Sequence, residues 1–221
     1  GRMDQQEMEI FFEKEQVGLV IDATHPFAVI VTENIQRACK NSGIEYLRCL
    51  RDFLTEAKAV RSEKFACERI NAITKSDSSV VCVNSVEEAV DYLEQTQGNI
   101  LITTGSKELD KYTRLTNYKE RCYARVLSVL PSVMQSIDLG FSGKHLIAMQ
   151  GPFSREMNLA LLHQTEAKYF VTKESGKNGG FAEKLEAAEQ AGAVLLVIGR
   201  PIEEGLSVEE AEQEMRKWNR D

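Results

Sequence analysis

Gly18-Leu19-Val20-Ile21-Asp22 runs directly into Ala23-Thr24-His25-Pro26, and then into Phe27, Val31, Ile35 and Ala38 at intervals of four, four and three. The first stretch reads as a short buried strand, the second as a polar turn, and the third as the apolar stripe of a helix over about 27–41. Gly43 stands where a left-handed helix stop belongs, and 45–49 is the next strand candidate. A strand, a helix and a second strand joined by short turns make a parallel βαβ unit.

The same alternation continues along the chain. Further strand candidates lie at 80–83, 100–103, 122–127, 145–149, 169–172 and 194–198, several of them apolar on both faces. Ser85-Val86-Glu87-Glu88 and Ser207-Val208-Glu209-Glu210 read as capping boxes, and Gly192 as a second helix stop. The fold class is therefore α/β with parallel sheets. The charged stretch 54–79 and the polar break Gln95-Thr96-Gln97-Gly98 interrupt the rhythm. Five strands follow that break and three precede it, which predicts two domains, 1–96 and 97–221, the first incomplete at its N-terminus.

Composition narrows the function classes. Of 221 residues, 43% are hydrophobic and 28% charged, as in an ordinary folded domain. The net charge of −7 argues against bulk nucleic-acid or anionic-membrane binding, and no apolar run approaches a membrane span. Five cysteines at 39, 49, 67, 82 and 122 include no C-x-x-C pair, so they read as reduced thiols of a cytoplasmic protein. No signal peptide is visible.

In open parallel sheets ligands bind beyond the carboxyl ends of the strands. Here those turns are polar and glycine-rich: Asp22–Pro26, Thr103-Thr104-Gly105-Ser106-Lys107, Gln150-Gly151-Pro152-Phe153-Ser154, the loop 172–180, and Gly199-Arg200-Pro201. Placed on one edge, they would form a polar, partly cationic crest. Thr104, Gly105 and Ser106 end a strand and open a helix, so their N–H groups suit an anion; Ser106 as a simple cap is an equal reading. The three glycines of the 172–180 loop permit close approach to a ligand, beside Lys173 and Lys177. His25, held extended by Pro26, is a candidate hydrogen-bond or proton donor, or a packing residue; His145 and His163 read as structural. No H-E-x-x-H, G-x-S-x-G, P-loop or strict G-x-G-x-x-G pattern occurs.

The turns carry a further signal. Val20-Ile21-Asp22-Ala23-Thr24-His25-Pro26-Phe27-Ala28 with Tyr46-Leu47-Arg48 resembles the precorrin-6A reductase family of corrin-ring biosynthesis. So do Thr103–Lys107, Gln150–Ser154 with Glu156 and Asn158, Thr172-Lys173 with Ser175-Gly176 and Gly179-Gly180, and Gly199-Arg200-Pro201. The order and spacing match from about residue 17 to 201.

The resemblance implies two Rossmann-like domains with a cleft between them. It also implies a nicotinamide-dependent reduction, by NADPH or NADH, of one double bond in precorrin-6A or its cobalt form. The anionic tetrapyrrole would be held by Thr24, Arg48, Ser106, Lys107, Gly151, Ser154, Lys173, Ser175, Gly176, Lys177 and Arg200, with Arg51 a further cation; Thr104, Gly105 and Ser106 would serve the cofactor and His25 the chemistry. Members of the family open with a strand and a G-G-T-x-E-G/A-R turn for the dinucleotide phosphates; these residues contain no such segment, which places cofactor binding by them in question. Two rival readings stand beside this one: another Rossmann-type oxidoreductase, and a non-catalytic carrier of a corrin intermediate. Cobalt content, oligomeric state and the proton donor are left open.

Overall fold

A computed structural model describes residues 3–50, 79–174, 180–199 and 204–218. By its internal contacts the chain forms two units, residues 1–53 with 201–221, and residues 54–200. The expected boundary at 96/97 falls inside the larger unit, because the strand 80–83 pairs with the last strand of the chain. A polar break such as 95–98 marks a surface turn; it does not say which sheet the preceding strand joins.

The smaller unit opens with α1 (Gln5–Lys14), which the sequence reading passed over. Its start is a reciprocal capping box, Asp4 Oδ1 accepting from the Glu7 amide and Glu7 Oε2 from the Asp4 amide, each at 2.9 Å. Next come β1 (Leu19–Asp22), α2 (Val29–Ser42) and β2 (Glu45–Arg48). β1 and β2 pair in parallel, Leu19 opposite Glu45 and Asp22 opposite Arg48, so the βαβ reading holds. Gly43 stops α2 at a φ of 67°, as expected. Met8, Phe12, Ala38 and Cys39 form the buried core of this unit, with Val20, Ile35 and Tyr46 against it. The closing helix α8 (Val208–Trp218) is capped by Ser207, whose hydroxyl accepts from the Glu210 amide at 3.1 Å while Glu210 accepts from the Ser207 amide at 2.8 Å.

Among the described residues the larger unit carries six parallel strands, β3 (Val80–Val83), β4 (Asn99–Ile102), β5 (Cys122–Val126), β6 (Leu146–Ala148), β7 (Ala167–Lys173) and β8 (Val194–Ile198). Their order across the sheet is β3-β8-β7-β4-β5-β6. From β4 the chain winds outward through β5 and β6, then returns to the other side of β4 and winds the opposite way through β7 and β8. This is the doubly wound Rossmann-like order, and β4 and β7 flank its switch point. Phe170 and Val171 point to opposite faces and are both fully buried, so the sheet is covered on each side.

The helices of this unit are α3 (Val86–Glu94), the single turn α4 (Tyr118–Arg121), α5 (Leu130–Asp138), α6 (Arg155–Thr165) and α7 (Phe181–Ala191). The capping box read at the start of α3 is only half formed. Ser85 accepts from the Glu88 amide, but Glu88 reaches the amide of Asn84 instead. α6 and α7 pack together over a core that includes Leu101, Leu162, Phe170, Phe181, Leu195 and Val197. Each such side chain contributes about 1.5–3 kcal/mol by leaving water. Among the described residues no helix is long and apolar enough to cross a membrane.

Candidate functional site

At the carboxyl edge of the larger sheet, beside its switch point, lies a pocket of about 300 Å3. It is walled by Thr103 and Gly105 after β4, Arg125–Leu127 at the end of β5, Met149–Phe153 after β6, and Gly180 and Lys184 at the start of α7. Of these, Thr103, Gly105, Gln150–Phe153 and Gly180 belong to turns that the sequence placed on one edge. Gly105 holds a φ of +85°, a conformation that a residue with a Cβ adopts only under strain. No carboxylate lines the pocket among the described residues.

Two cations do. Arg125 sits in a strand buried at all five positions and is itself 5% exposed. Its Nη1 donates to Asn158 Oδ1 at 2.7 Å, and its guanidinium lies 3.9 Å from the centre of the Phe153 ring. Asn158, fully buried on α6, turns its amide nitrogen back to the Ser154 carbonyl at 3.0 Å. The half-buried Lys184 donates from Nζ to Thr172 Oγ1 at 2.9 Å. Neither cation makes an ion pair among the described residues. Burial pushes Arg125 down to about 10. Burial, and then the charge of Arg125, push Lys184 down to about 8, with Glu183 opposing. Two desolvated cations with apolar neighbours and no ion-pair partner among the described residues suit an anionic group on an apolar body.

The residues singled out from the sequence are distributed differently. Gly151 lines the pocket, and Ser154 caps α6 by accepting from the Met157 amide at 3.3 Å. Ser106 is buried and Lys107 exposed just after β4. The expected α-helix after Thr104-Gly105-Ser106 is absent. A 3-10 helix at Leu109–Arg114 follows instead, and Thr104 Oγ1 donates to the Tyr112 hydroxyl at 3.4 Å. The reading of this turn as a phosphate site at a helix N-terminus loses its physical basis, because no aligned helix dipole stands behind it. Lys173 pairs with Glu108, which also accepts from Lys111 at 2.9 Å, so its charge is compensated within the protein.

In the smaller unit Arg48 and Thr24 belong to a buried network. Arg48 Nη1 lies 3.0 Å from Asp22 Oδ1 and 3.2 Å from Thr24 Oγ1, and Nη2 donates to the Thr24 carbonyl at 3.1 Å. Tyr46 donates to Asp22 Oδ2 at 2.9 Å, and the Thr24 amide donates to Oδ1 at 2.9 Å. Arg48 therefore shapes the turn after β1 from inside. Burial pushes the Asp22 carboxyl up, but hydrogen bonds from Thr24 and Tyr46 and the charge of Arg48 outweigh it, leaving Asp22 below its ordinary value. His25, half-buried in that turn, accepts from the Phe27 amide through Nδ1 at 3.3 Å and stacks on the Phe27 ring. In the neutral ring Nε2 then carries the proton. His145 stacks on Tyr123, with Nδ1 3.0 Å from the Cys122 carbonyl, as a structural residue. Arg51, Ser175, Gly176, Lys177 and Arg200 lie outside the described residues.

Sequence reasoning missed Arg125 and Lys184. Arg125 had a signal: one arginine inside Cys122-Tyr123-Ala124-Arg125-Val126, a strand with no solvent face. A charge in that setting is rare unless something needs it. Lys184 had none, since on sequence it is one of several charges on an amphipathic helix.

Comparison with known proteins adds to this geometry. The description of the precorrin-6x reductases CbiJ/CobK matches residues 1–218, through both units. The cobalt-precorrin-6A reductase of Priestia megaterium is 34% identical over 91% of this chain and 72% of its own length. That of Methanothermobacter thermautotrophicus is 35% identical over 83% of this chain and 54% of its own length. A solved CobK precorrin-6A reductase has the same fold, with a TM-score of 0.65 at 20% identity, covering 98% of this chain and 80% of that one. The motif resemblance, the doubly wound sheet and the matched length agree, and the chain belongs to the precorrin-6x reductase family, the oxidoreductases of cobalamin biosynthesis.

Proposed function

We propose that this protein reduces one carbon–carbon double bond of a precorrin-6A macrocycle, in its cobalt form, with a reduced nicotinamide dinucleotide as hydride donor. The cobalt form is favoured because the relatives at 30–35% identity carry that substrate in their names. The observation that carries the reading is the pocket at the sheet's switch point, with apolar walls at Val126, Leu127, Met149 and Phe153 and cations at Arg125 and Lys184. Such a lining suits a flat, largely apolar ring bearing carboxylate arms.

The nicotinamide supplies the hydride, and the protein's contribution is orientation and exclusion of water. Gly151, Ser154, Ser106 and Lys107 stand on the turns around the pocket and would position the macrocycle. His25, with its Nε2 proton, is the proposed orienting or proton-donating group of the smaller unit. NADPH and NADH are both chemically competent, and the Thr104–Ser106 turn lacks the helix N-terminus that would hold their phosphates.

The test is a stopped assay with purified protein, cobalt-precorrin-6A or precorrin-6A, and either dinucleotide, following loss of reduced-nicotinamide absorbance. Oxidation that depends on the macrocycle and is faster with the cobalt form is the expected result. Macrocycle binding without any oxidation would make the protein a carrier. No binding and no oxidation with either substrate would sink the reading.

A further inference from the structure

We propose that Arg125 and Lys184 form an oxyanion subsite that grips one carboxylate arm of the macrocycle. The proposal rests on the substrate class read above and assigns it a definite anchor.

Three observations carry it. First, both side chains line the same pocket, from different elements, Arg125 from the end of β5 and Lys184 from the first turn of α7. Second, their protein partners are neutral. Arg125 uses Nη1 on the amide oxygen of Asn158, and Lys184 uses Nζ on the hydroxyl of Thr172. An arginine has five N–H donors and a lysine three, so donors remain on both for a ligand. Third, Val126, Leu127, Met149, Pro152 and Phe153 line the pocket around the cations, the other polar side chains there, Thr103 and Gln150, are neutral, and no described lining residue is a carboxylate. Burying two like charges side by side is unfavourable by itself. An incoming carboxylate removes that cost, taking a forked contact from the guanidinium and a point-charge contact from the ammonium.

The arrangement also accounts for the contacts behind this edge. Asn158 joins Arg125 to the Ser154 carbonyl, so the turn after β6 is fastened to the cation that the ligand would meet. Phe153 covers the guanidinium face, leaving its edge for in-plane hydrogen bonds. Lys184 faces Arg125 from β5 and Glu183 from its own helix, and its lowered proton affinity reflects burial and Arg125 outweighing Glu183. A bound anion reverses that balance, so binding takes up a proton above about pH 8 and weakens as pH rises.

The experiment titrates the full chain with uroporphyrin, a soluble tetrapyrrole with acetate and propionate arms, and separately with NADPH and with sodium malonate. Lys184→Gln and Arg125→Gln are compared with Lys184→Arg, and thermal unfolding checks that each variant folds. Loss of one charge-assisted contact is expected to weaken uroporphyrin about tenfold or more in the glutamine variants, with Lys184→Arg retaining most of the affinity and NADPH unchanged. Should Arg125→Gln fail to fold, Lys184→Gln alone decides. Equal uroporphyrin affinity in wild type and a folded Lys184→Gln overturns the subsite while leaving the substrate class intact. Weakened NADPH with unaltered uroporphyrin overturns it in favour of a dinucleotide phosphate. Malonate stabilising the wild type but not Lys184→Gln, with no uroporphyrin bound, would keep the anion site and overturn the macrocycle reading; no binding of any probe overturns both.

Discussion

Arg48 and Asp22 form an ion pair of 3.0 Å in which the two side chains are 6% and 0% exposed. They stand opposite each other in the β1–β2 register, so the pair closes the carboxyl end of the only two described strands of the smaller unit. Removing the cation leaves a buried carboxylate uncompensated. Arg48→Met is expected to cost about 3–5 kcal/mol at neutral pH in chemical denaturation. Asp22 has a folded value below its unfolded one, so its contribution is present above the unfolded value of 3.8 and is lost as pH falls through the folded value. The gap between wild type and variant should therefore narrow in acid. A gap below 1 kcal/mol at neutral pH would remove Arg48 from the framework.

Lys184 gives its pH signature at the alkaline end. Its folded value of about 8 lies below the ordinary lysine value of 10.5. Below about pH 8 the ammonium is charged in both states, and folding bears the full burial cost. Between about 8 and 10.5 the unfolded chain holds a proton that the folded chain has released, so stability rises with pH in that window. Lys184→Met should flatten this rise. Denaturation series at pH 7 and pH 9.5 on both proteins measure it, and identical pH slopes would count against a buried ammonium.

A Cβ placed on Gly18 would meet Trp218 Cζ2 at 2.7 Å. The indole must move, and since the chain holds a single tryptophan its fluorescence reports the movement directly. Gly18→Ala is expected to shift the emission toward the red and to cost about 1–3 kcal/mol. Unaltered emission with unaltered stability would mean that the C-terminal helix does not lie against β1 in solution.

Lys173, Glu108 and Lys111 form a chain of ion pairs that continues to Glu87 at 3.0 Å from Lys111. These side chains are partly exposed, so the effect is small. Lys173→Ala should cost about 1 kcal/mol or less, and much of that should be absent when Glu108→Gln is already present. A double-mutant cycle in urea measures the coupling. An apparent KM for the macrocycle raised tenfold by Lys173→Ala, with no coupling to Glu108, would return Lys173 to the substrate.

The eight described strands were legible because each is a short apolar run bounded by turn residues, and the glycines at 43 and 192 marked helix ends that the structure places at φ 67° and 63°. The motif-bearing turns were legible too, since ligand turns must follow parallel strands. The α-helix expected after Ser106 was not to be had from local signals, because Gly105 and Ser106 fit a cap and a plain turn equally well. The 3-10 helix there is held by Tyr112 and Leu109, both fully buried against the rest of the unit.

Alternation of apolar runs and amphipathic stripes is a local property, and it suffices for the α/β class, the parallel pairing and the edge on which the pocket opens. Which strands share a sheet is a different matter. β3 lies before the polar break at 95–98 yet pairs with β8, over a hundred residues further on, in parallel from Val80 opposite Leu195 to Val83 opposite Ile198. The pairing of Lys173 with Glu108, the enclosure of Arg48 by Asp22 and Thr24, and the meeting of Arg125 with Lys184 are likewise products of the folded arrangement. A cation's role depends on the charge that the fold brings beside it. Nothing in the spacing of lysines and arginines along the chain distinguishes one that is already paired from one left facing a pocket.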